Sequence, residues 1–448
     1  MIQLQNLMKR GAPDYEALVL DYTSAGRFEE ALAVAELAIA QPVGEQTLLH
    51  YYKSWCLIRL GKTAEAQIAI ATAEKEPADY CFPNALEAIE ALQCVVDFAG
   101  KAPKALYYLG NLWYDKRRYP TAIAAWERSS REDETFPTVW RNLSLAYFNK
   151  MNRPDEAVTL LEKAFRLDHT DARVLMELDQ LYKRLNRPHI ERLCFLEQHI
   201  DIVMTRDDLY LEYITLLNQT GQYREAIRRI DQRKFHPWEG GEGKVPAQYQ
   251  LARLELAKEL INRKKYDDAL ALIDECYIYY HLGEGKLPGA QENDFNYYKA
   301  YILQQQGRPE EAHSLFVKAC SGNSQPAAAM YYNDQKPDKI FYQGLAYRKL
   351  GEEEKARSRF NQLITYGEEH LFDRFKMDYF AVSLPDLLIW EDDMDKKNRI
   401  HCNYLMALGH LGLGNRTKAE HFFDIAASMD NNHQGVQIHR KLMNTILS

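Results

Sequence analysis

The sequence predicts an all-α solenoid of about ten helical hairpins, and three observations predict it. Small residues, nearly always alanine, recur at a regular spacing; a glycine or other turn residue often stands five places earlier; and aromatic or bulky residues keep phase with both. Two helices that cross closely need a small residue where they touch. A bulky residue four places later then lies on the same helical face.

That combination is the pattern of tetratricopeptide-type repeats. It is plainest in residues 106–130, LYYLGNLWYDKRRYPTAIAAWERSS. Leu109-Gly110 is read as the close-packing pair of a first helix, with Trp113 one turn on. Tyr119 and Ala122 open the second helix, and Trp126 fills the space above Ala122. Tyr15, Tyr22, Gly26, Phe28 and Ala31 repeat the scheme near the start, and Trp140, Leu143, Tyr147, Ala157 and Ala164 repeat it after the third unit. Followed along the chain, the small position reads Ala31, Ala66, Ala122, Ala157, Glu191, Ala226, Ala269, Ala312, Ala356 and Ala419. Glu191 is the misfit.

The spacing also varies in an ordered way. Plain repeats are 34 or 35 residues apart, while Ala66 and Ala122 are 56 apart and Ala356 and Ala419 are 63 apart. The first long gap predicts an extra helix near residues 83–98, with Pro83 suited to a first turn. The second predicts another near residues 372–384. Between Ala226 and Ala356 the period stretches three times in succession, to 43, 43 and 44. The added residues fall at 235–249, 281–294 and 321–339. Equivalent inserts in a solenoid emerge on one edge, so these three are expected to form one surface. The resulting organisation is N-terminal repeats over 1–76, an extra helical insert over 77–105 and regular repeats over 106–234. Repeats with long insert loops follow over 235–370, and an extra helix, an acidic loop and a last repeat over 371–448.

Composition narrows the function. The net charge of -8 argues against a nucleic-acid binder, which needs a basic footprint, and against adhesion to anionic membranes. No run approaches a membrane span, and the first residues lack the basic start and apolar run of a signal peptide. Seven scattered cysteines without a CxxC read as reduced thiols of a cytoplasmic protein. No HExxH, GxSxG or Cys/His nucleophile pattern occurs, so no catalytic residue, metal ligand or cofactor is assigned.

The candidate binding residues lie in the inserts. HPWEGGEGKVP and HLGEGKLPG share a Glu-Gly-Lys string, Glu242-Gly243-Lys244 and Glu284-Gly285-Lys286, 42 residues apart. Glycine lets backbone N–H groups approach an anion and lysine adds charge. The Walker spacing is absent, however, so the strings read either as a docking site or as shaped turns. Trp238, between His236 and Glu239, reads as a partner anchor, a sugar-stacking platform or a peg tying the loop down. Asn293 and Asp294 close the second insert and complete the candidate set. The acidic run Glu391-Asp392-Asp393-Met394-Asp395 reads as a solvated helix start, since carboxylates favour helix N-termini.

Four strings are more specific than the generic repeat: 105–129, 235–249, 281–300 and 379–414. Through them most of the chain resembles the C-terminal tetratricopeptide half of a family of large bacterial proteins. In that family a domain of unknown function, similar to the β-sandwich of galactose mutarotases, precedes the repeats. No such region is expected here, because residue 14 already lies in the first repeat. A fragment, a split gene product and a short relative all fit. The resemblance implies a carbohydrate-metabolism setting and a docking role towards a β-sandwich domain or partner. The reading that follows is a non-catalytic interaction scaffold. The alternative is an accessory part of a carbohydrate-active enzyme, lending loop residues to a sugar pocket. A tetratricopeptide sensor of peptides or transcription is disfavoured, because no DNA-binding module is evident.

Overall fold

The computed structural model describes residues 8–42, 44–236, 238, 241–286, 290–328, 334–374 and 389–443. It is 72% helical, and no strand occurs among the described residues. The chain divides into two compact units, Met1–Thr170 and Asp171–Ser448.

Unit 1 contains α1 (Ala12–Ser24), α2 (Phe28–Ile39), α3 (Thr47–Arg59), α4 (Thr63–Ala73), α5 (Glu87–Ala99), α6 (Pro103–Asp115), α7 (Tyr119–Glu132), α8 (Pro137–Asn149) and α9 (Pro154–Leu167). Four antiparallel hairpins, α1/α2, α3/α4, α6/α7 and α8/α9, account for all but α5. That solitary helix is the one expected from the first long gap, but it begins at Glu87, so Pro83 lies before it and not in its first turn. Its apolar face, Ala88, Ala91, Leu92, Val95 and Val96, is buried, and it packs on α3 and α6.

Unit 2 contains α10 (Ala172–Arg184), α11 (His189–Gln198), the short α12 (Ile200–Val203), α13 (Asp207–Gln219), α14 (Tyr223–Asp231), α15 (Lys244–Asn262), α16 (Tyr266–Glu275), α17 (Asn293–Gln305), α18 (Pro309–Ala319), α19 (Pro337–Lys349), α20 (Glu353–His370), α21 (Met394–Gly412), α22 (Arg416–Met429) and α23 (Gln434–Leu442). Six hairpins, from α10/α11 to α21/α22, precede the terminal α23. The extra helix expected near 372–384 lies largely outside the described residues.

The nine alanines behave as the crossing geometry requires. Each is the fourth residue of its second helix, and none is more than 2% exposed. The residue five places earlier is left-handed in every case, whether it is glycine or Arg117, Asn152 or Lys264. A shared backbone requirement therefore sets the turn, and glycine is the least strained way to meet it. The close-packing pair is equally concrete. A Cβ on Gly110 would stand 2.2 Å from the Trp126 indole nitrogen, which donates to the Tyr107 carbonyl at 3.1 Å. Replacing Ala157, wholly buried under α8, by leucine is expected to overpack this crossing and cost about 1–3 kcal/mol in urea unfolding. An unchanged midpoint would show that the crossing lies elsewhere.

Two expectations are corrected. Glu191 is not the small position of its hairpin: it is exposed, and the fourth residue of α11 is Arg192. The left-handed Asn186 is followed by two residues, Arg187 and Pro188, before α11 begins, where the other turns have one. That extra residue moves the register by one. The inserts, in turn, are only partly loops. Residues 244–249 belong to α15, which has 19 residues, and Asn293 and Asp294 form the first turn of α17.

Candidate functional site

The three inserts are fastened each to the next. The Phe235 N–H donates to the Leu282 carbonyl at 2.8 Å, and the Gly243 N–H donates to the Glu284 carboxylate at 3.1 Å. The two Glu-Gly-Lys strings thus touch through one of their own residues. Gly243 is left-handed and caps α15, which leaves Lys244 as that helix's first residue. Further on, the Lys336 N–H donates to the Gln291 side chain at 3.1 Å, and the Gln291 amide donates to the Asp334 carbonyl at 3.3 Å.

The candidate residues divide by their surroundings. His236 is exposed, with its N–H and Nδ1 on Asp207 at 2.8 and 3.0 Å. The half-buried Trp238 lies against its own turn, since a Cβ on Gly241 would stand 2.3 Å from the indole. Glu242 and Lys244 are exposed, and Lys244 makes no ion pair among the described residues. Its amine nevertheless stands among protein atoms. Partial desolvation, aided by Lys183 and Lys397, lowers its pKa against the pull of Glu212 and Glu242. Glu284 is shifted upward by burial, against the hydrogen bond from Gly243. Lys286 is paired with Glu292. Asn293 and Asp294 do not share this surface. The Asn293 amide donates to the Ala319 and Ser321 carbonyls at 2.9 and 2.8 Å, and Asp294 is buried against Lys339 at 2.5 Å. Both serve the interior. Glu239 lies outside the described residues.

Sequence reasoning missed a second assembly in unit 2. The Arg192 side chain is completely buried. Its guanidinium donates to Asp179 at 3.0 and 2.7 Å, to Glu212 at 2.7 Å and to the Asn432 side-chain oxygen at 2.6 Å. Lys183 adds a pair with Glu212 at 2.8 Å. Burial opposes ionisation of Glu212, but Lys183 and Arg192 more than offset it and hold the carboxyl down at about 2. The only sequence signal was a charged residue in an alanine column.

Asn432 belongs to a terminal stretch, 430–442, that runs along the first helices of unit 2. Its amide also donates to the Lys183 carbonyl at 3.0 Å. The Gln219 amide donates to the Asn432 carbonyl at 2.8 Å, Gln248 and Gln434 exchange side-chain hydrogen bonds at 2.8 and 3.0 Å, and Lys441 donates to the Tyr223 hydroxyl at 3.0 Å. His439 is enclosed by the rings of Phe341, Tyr342 and Tyr404. Beside α23 lies a cavity of about 190 Å³ between Tyr223, Lys258, Tyr298, Lys349 and the α23 residues Ile438 and Lys441. The acidic run serves the same unit: the Asp393 carboxylate caps α21, and Asp392 pairs with Arg184 at 2.8 Å. Among the described residues, no helix is long and apolar enough to cross a membrane.

These features define a tetratricopeptide-type helical solenoid. Two tetratricopeptide-repeat family models match the chain, over residues 82–139 and 340–366. Among solved structures, the chain is similar to YrrB, described as a TPR protein with an unusual peptide-binding site, at 15% identity. That match covers 42% of this chain and 91% of YrrB, with a TM-score of 0.32. A thermophilic TPR protein of Thermus thermophilus matches at 16% identity over 46% of this chain and 98% of its own, with a TM-score of 0.27. MamA from Desulfovibrio magneticus matches at 16% identity over 45% and 99%, with a TM-score of 0.26.

Proposed function

We propose that the chain is a non-catalytic interaction scaffold whose insert edge docks another protein. The partner best supported by the family resemblance is a β-sandwich domain of the galactose-mutarotase type, in a carbohydrate-related setting. One observation carries the reading: the inserts bond to one another from repeat to repeat, so the edge is prebuilt. A prebuilt surface spends little entropy on ordering when a partner arrives. Glu242 and Lys244 are exposed on it, and Lys244 lies at a helix N-terminus, where an acidic partner group is favoured. Separately, unit 1 exposes three large apolar side chains close in sequence, Tyr80, Phe82 and Leu86.

The test is calorimetric titration of the chain with the separately expressed β-sandwich domain of a longer relative. Exchanging Lys244 and Lys286 together for alanine should weaken binding at least tenfold. It should leave stability within about 0.5 kcal/mol, because both side chains are exposed. Unaltered binding by the double variant, or none by the wild type, would sink the proposal. Binding of free sugars by the chain alone would favour an accessory pocket instead.

A further inference from the structure

We infer that the first-helix face of unit 2 is a helix-binding groove, that residues 430–442 are its resident occupant, and that a partner helix of matching chemistry enters by exchange with them. The inference is independent of the insert edge.

A helix that only caps a solenoid covers the apolar face of the last hairpin. α23 does pack on α21 and α22, and Val436 and Leu442 are buried. The stretch it belongs to reaches much further. Asn432 meets Arg192 across 240 residues of sequence, Gln219 across 213, and Gln434 meets Gln248 across 186. Helices from α10 to α21 therefore surround one short segment, as a repeat protein surrounds a bound peptide.

The chemistry of these contacts is that of an exchangeable interface more than of a core. The entry is held by amides: Asn432 on Arg192, Gln434 on Gln248, and Gln437 on the His189 ring at 3.3 Å. The following turns present Val436, His439 and Leu442, three residues apart, as a narrow inward stripe. When the segment leaves, water can replace the amide contacts at its entry, while the rings of Phe341, Tyr342 and Tyr404 that face His439 are uncovered for an incoming apolar stripe.

The resident also fits imperfectly. Among the described residues, His439 Nε2 and Gln219 Oε1 are buried without a hydrogen-bond partner, and Asn218 Oδ1, whose amide meets Gln248, is in the same position. The two amide oxygens are groove atoms that a better-matched segment could satisfy, whereas the unpartnered His439 nitrogen is the resident's own and would leave with it. The 190 Å³ cavity alongside offers room for larger side chains, between tyrosine rings and the Glu255–Lys258 pair. The occupant this groove fits is an amphipathic helix with amides at its entry, an apolar or aromatic stripe at three-residue spacing, and a basic residue near Tyr223.

The experiment uses the full chain. Asn432→Ala with Gln434→Ala removes amide contacts but leaves the apolar stripe. A fluorescein-labelled synthetic peptide of residues 430–443 is then added and its anisotropy followed. The loosened chain should bind it at least tenfold more tightly than the wild type, and an unlabelled peptide with alanine at Val436, His439 and Leu442 should fail to compete. Hydrogen exchange on the wild type provides a check that needs no variant: α23 amides should exchange through an opening of their own, ahead of α10–α22. If α23 exchanges only with global unfolding, or if the loosened chain folds and ignores the peptide, the segment is an integral part of the fold and the proposal is overturned.

Discussion

Arg192→Ala is expected to destabilise unit 2 by about 3–5 kcal/mol, although alanine is what nine other hairpins carry at that position. Elsewhere the small residue fits a crossing built around it. Here α10 and α11 meet around a guanidinium that satisfies Asp179, Glu212 and Asn432 together. Removing it leaves Glu212 with Lys183, but it leaves Asp179 buried with no cation of its own, beside a void. The orphaned carboxylate accounts for most of the cost. Arg192→Met combined with Asp179→Leu, which removes both charges, should therefore recover most of the stability. Urea unfolding with protease sensitivity at 430–442 is the measurement. A single substitution costing under about 1 kcal/mol would show that the cluster is not a keystone of unit 2.

Arg192 also shows where the sequence stopped being legible. The alanine column, the left-handed turns and the Gly110–Trp126 contact are local consequences of one hairpin geometry, and each repeats until it stands out. The extra helix over Glu87–Ala99 was legible for a similar reason: a gap in a regular series has a length, and the length fits one helix. The one-residue shift at Pro188 happens once, so periodicity could not reveal it and assigned the position to the exposed Glu191. The candidate site was legible in part. Matching Glu-Gly-Lys strings near the local period foretold proximity, and Glu284 does meet Gly243. Asn293 and Asp294, in contrast, were assigned by their place in an insert, while their side chains turn to the Ala319 carbonyl and to Lys339. The occupation of the unit 2 groove was invisible, because it joins residues up to 249 apart and no periodicity in the chain encodes it.

Acid should loosen unit 2 through His439. The imidazole is 4% exposed, walled by Phe341, Tyr342 and Tyr404, with Nδ1 2.8 Å from the Gly435 carbonyl and 3.1 Å from the Tyr404 hydroxyl. Asp338, Glu255 and Lys258 are the charged groups around it. Burial lowers its pKa from 6.5 to about 4, and the acidic neighbours do not compensate. Below pH 6.5 the unfolded chain takes up a proton that the folded one refuses. The stability contributed by the neutral ring is thus complete above that pH and is lost as pH falls towards 4, by about 3 kcal/mol in all. Glu212, held down at about 2 from an unfolded value of 4.5, begins to cost stability only near pH 4.5 and does so mainly below this window, so its share of the loss there is small. Urea unfolding at pH 7.5 and 4.5 should therefore show a marked loss in the wild type and a smaller one in His439→Leu. Taking the difference between the two proteins cancels the other titrating groups. Equal losses in both would mean that the ring is hydrated in the folded state and that this part of the groove is open to water.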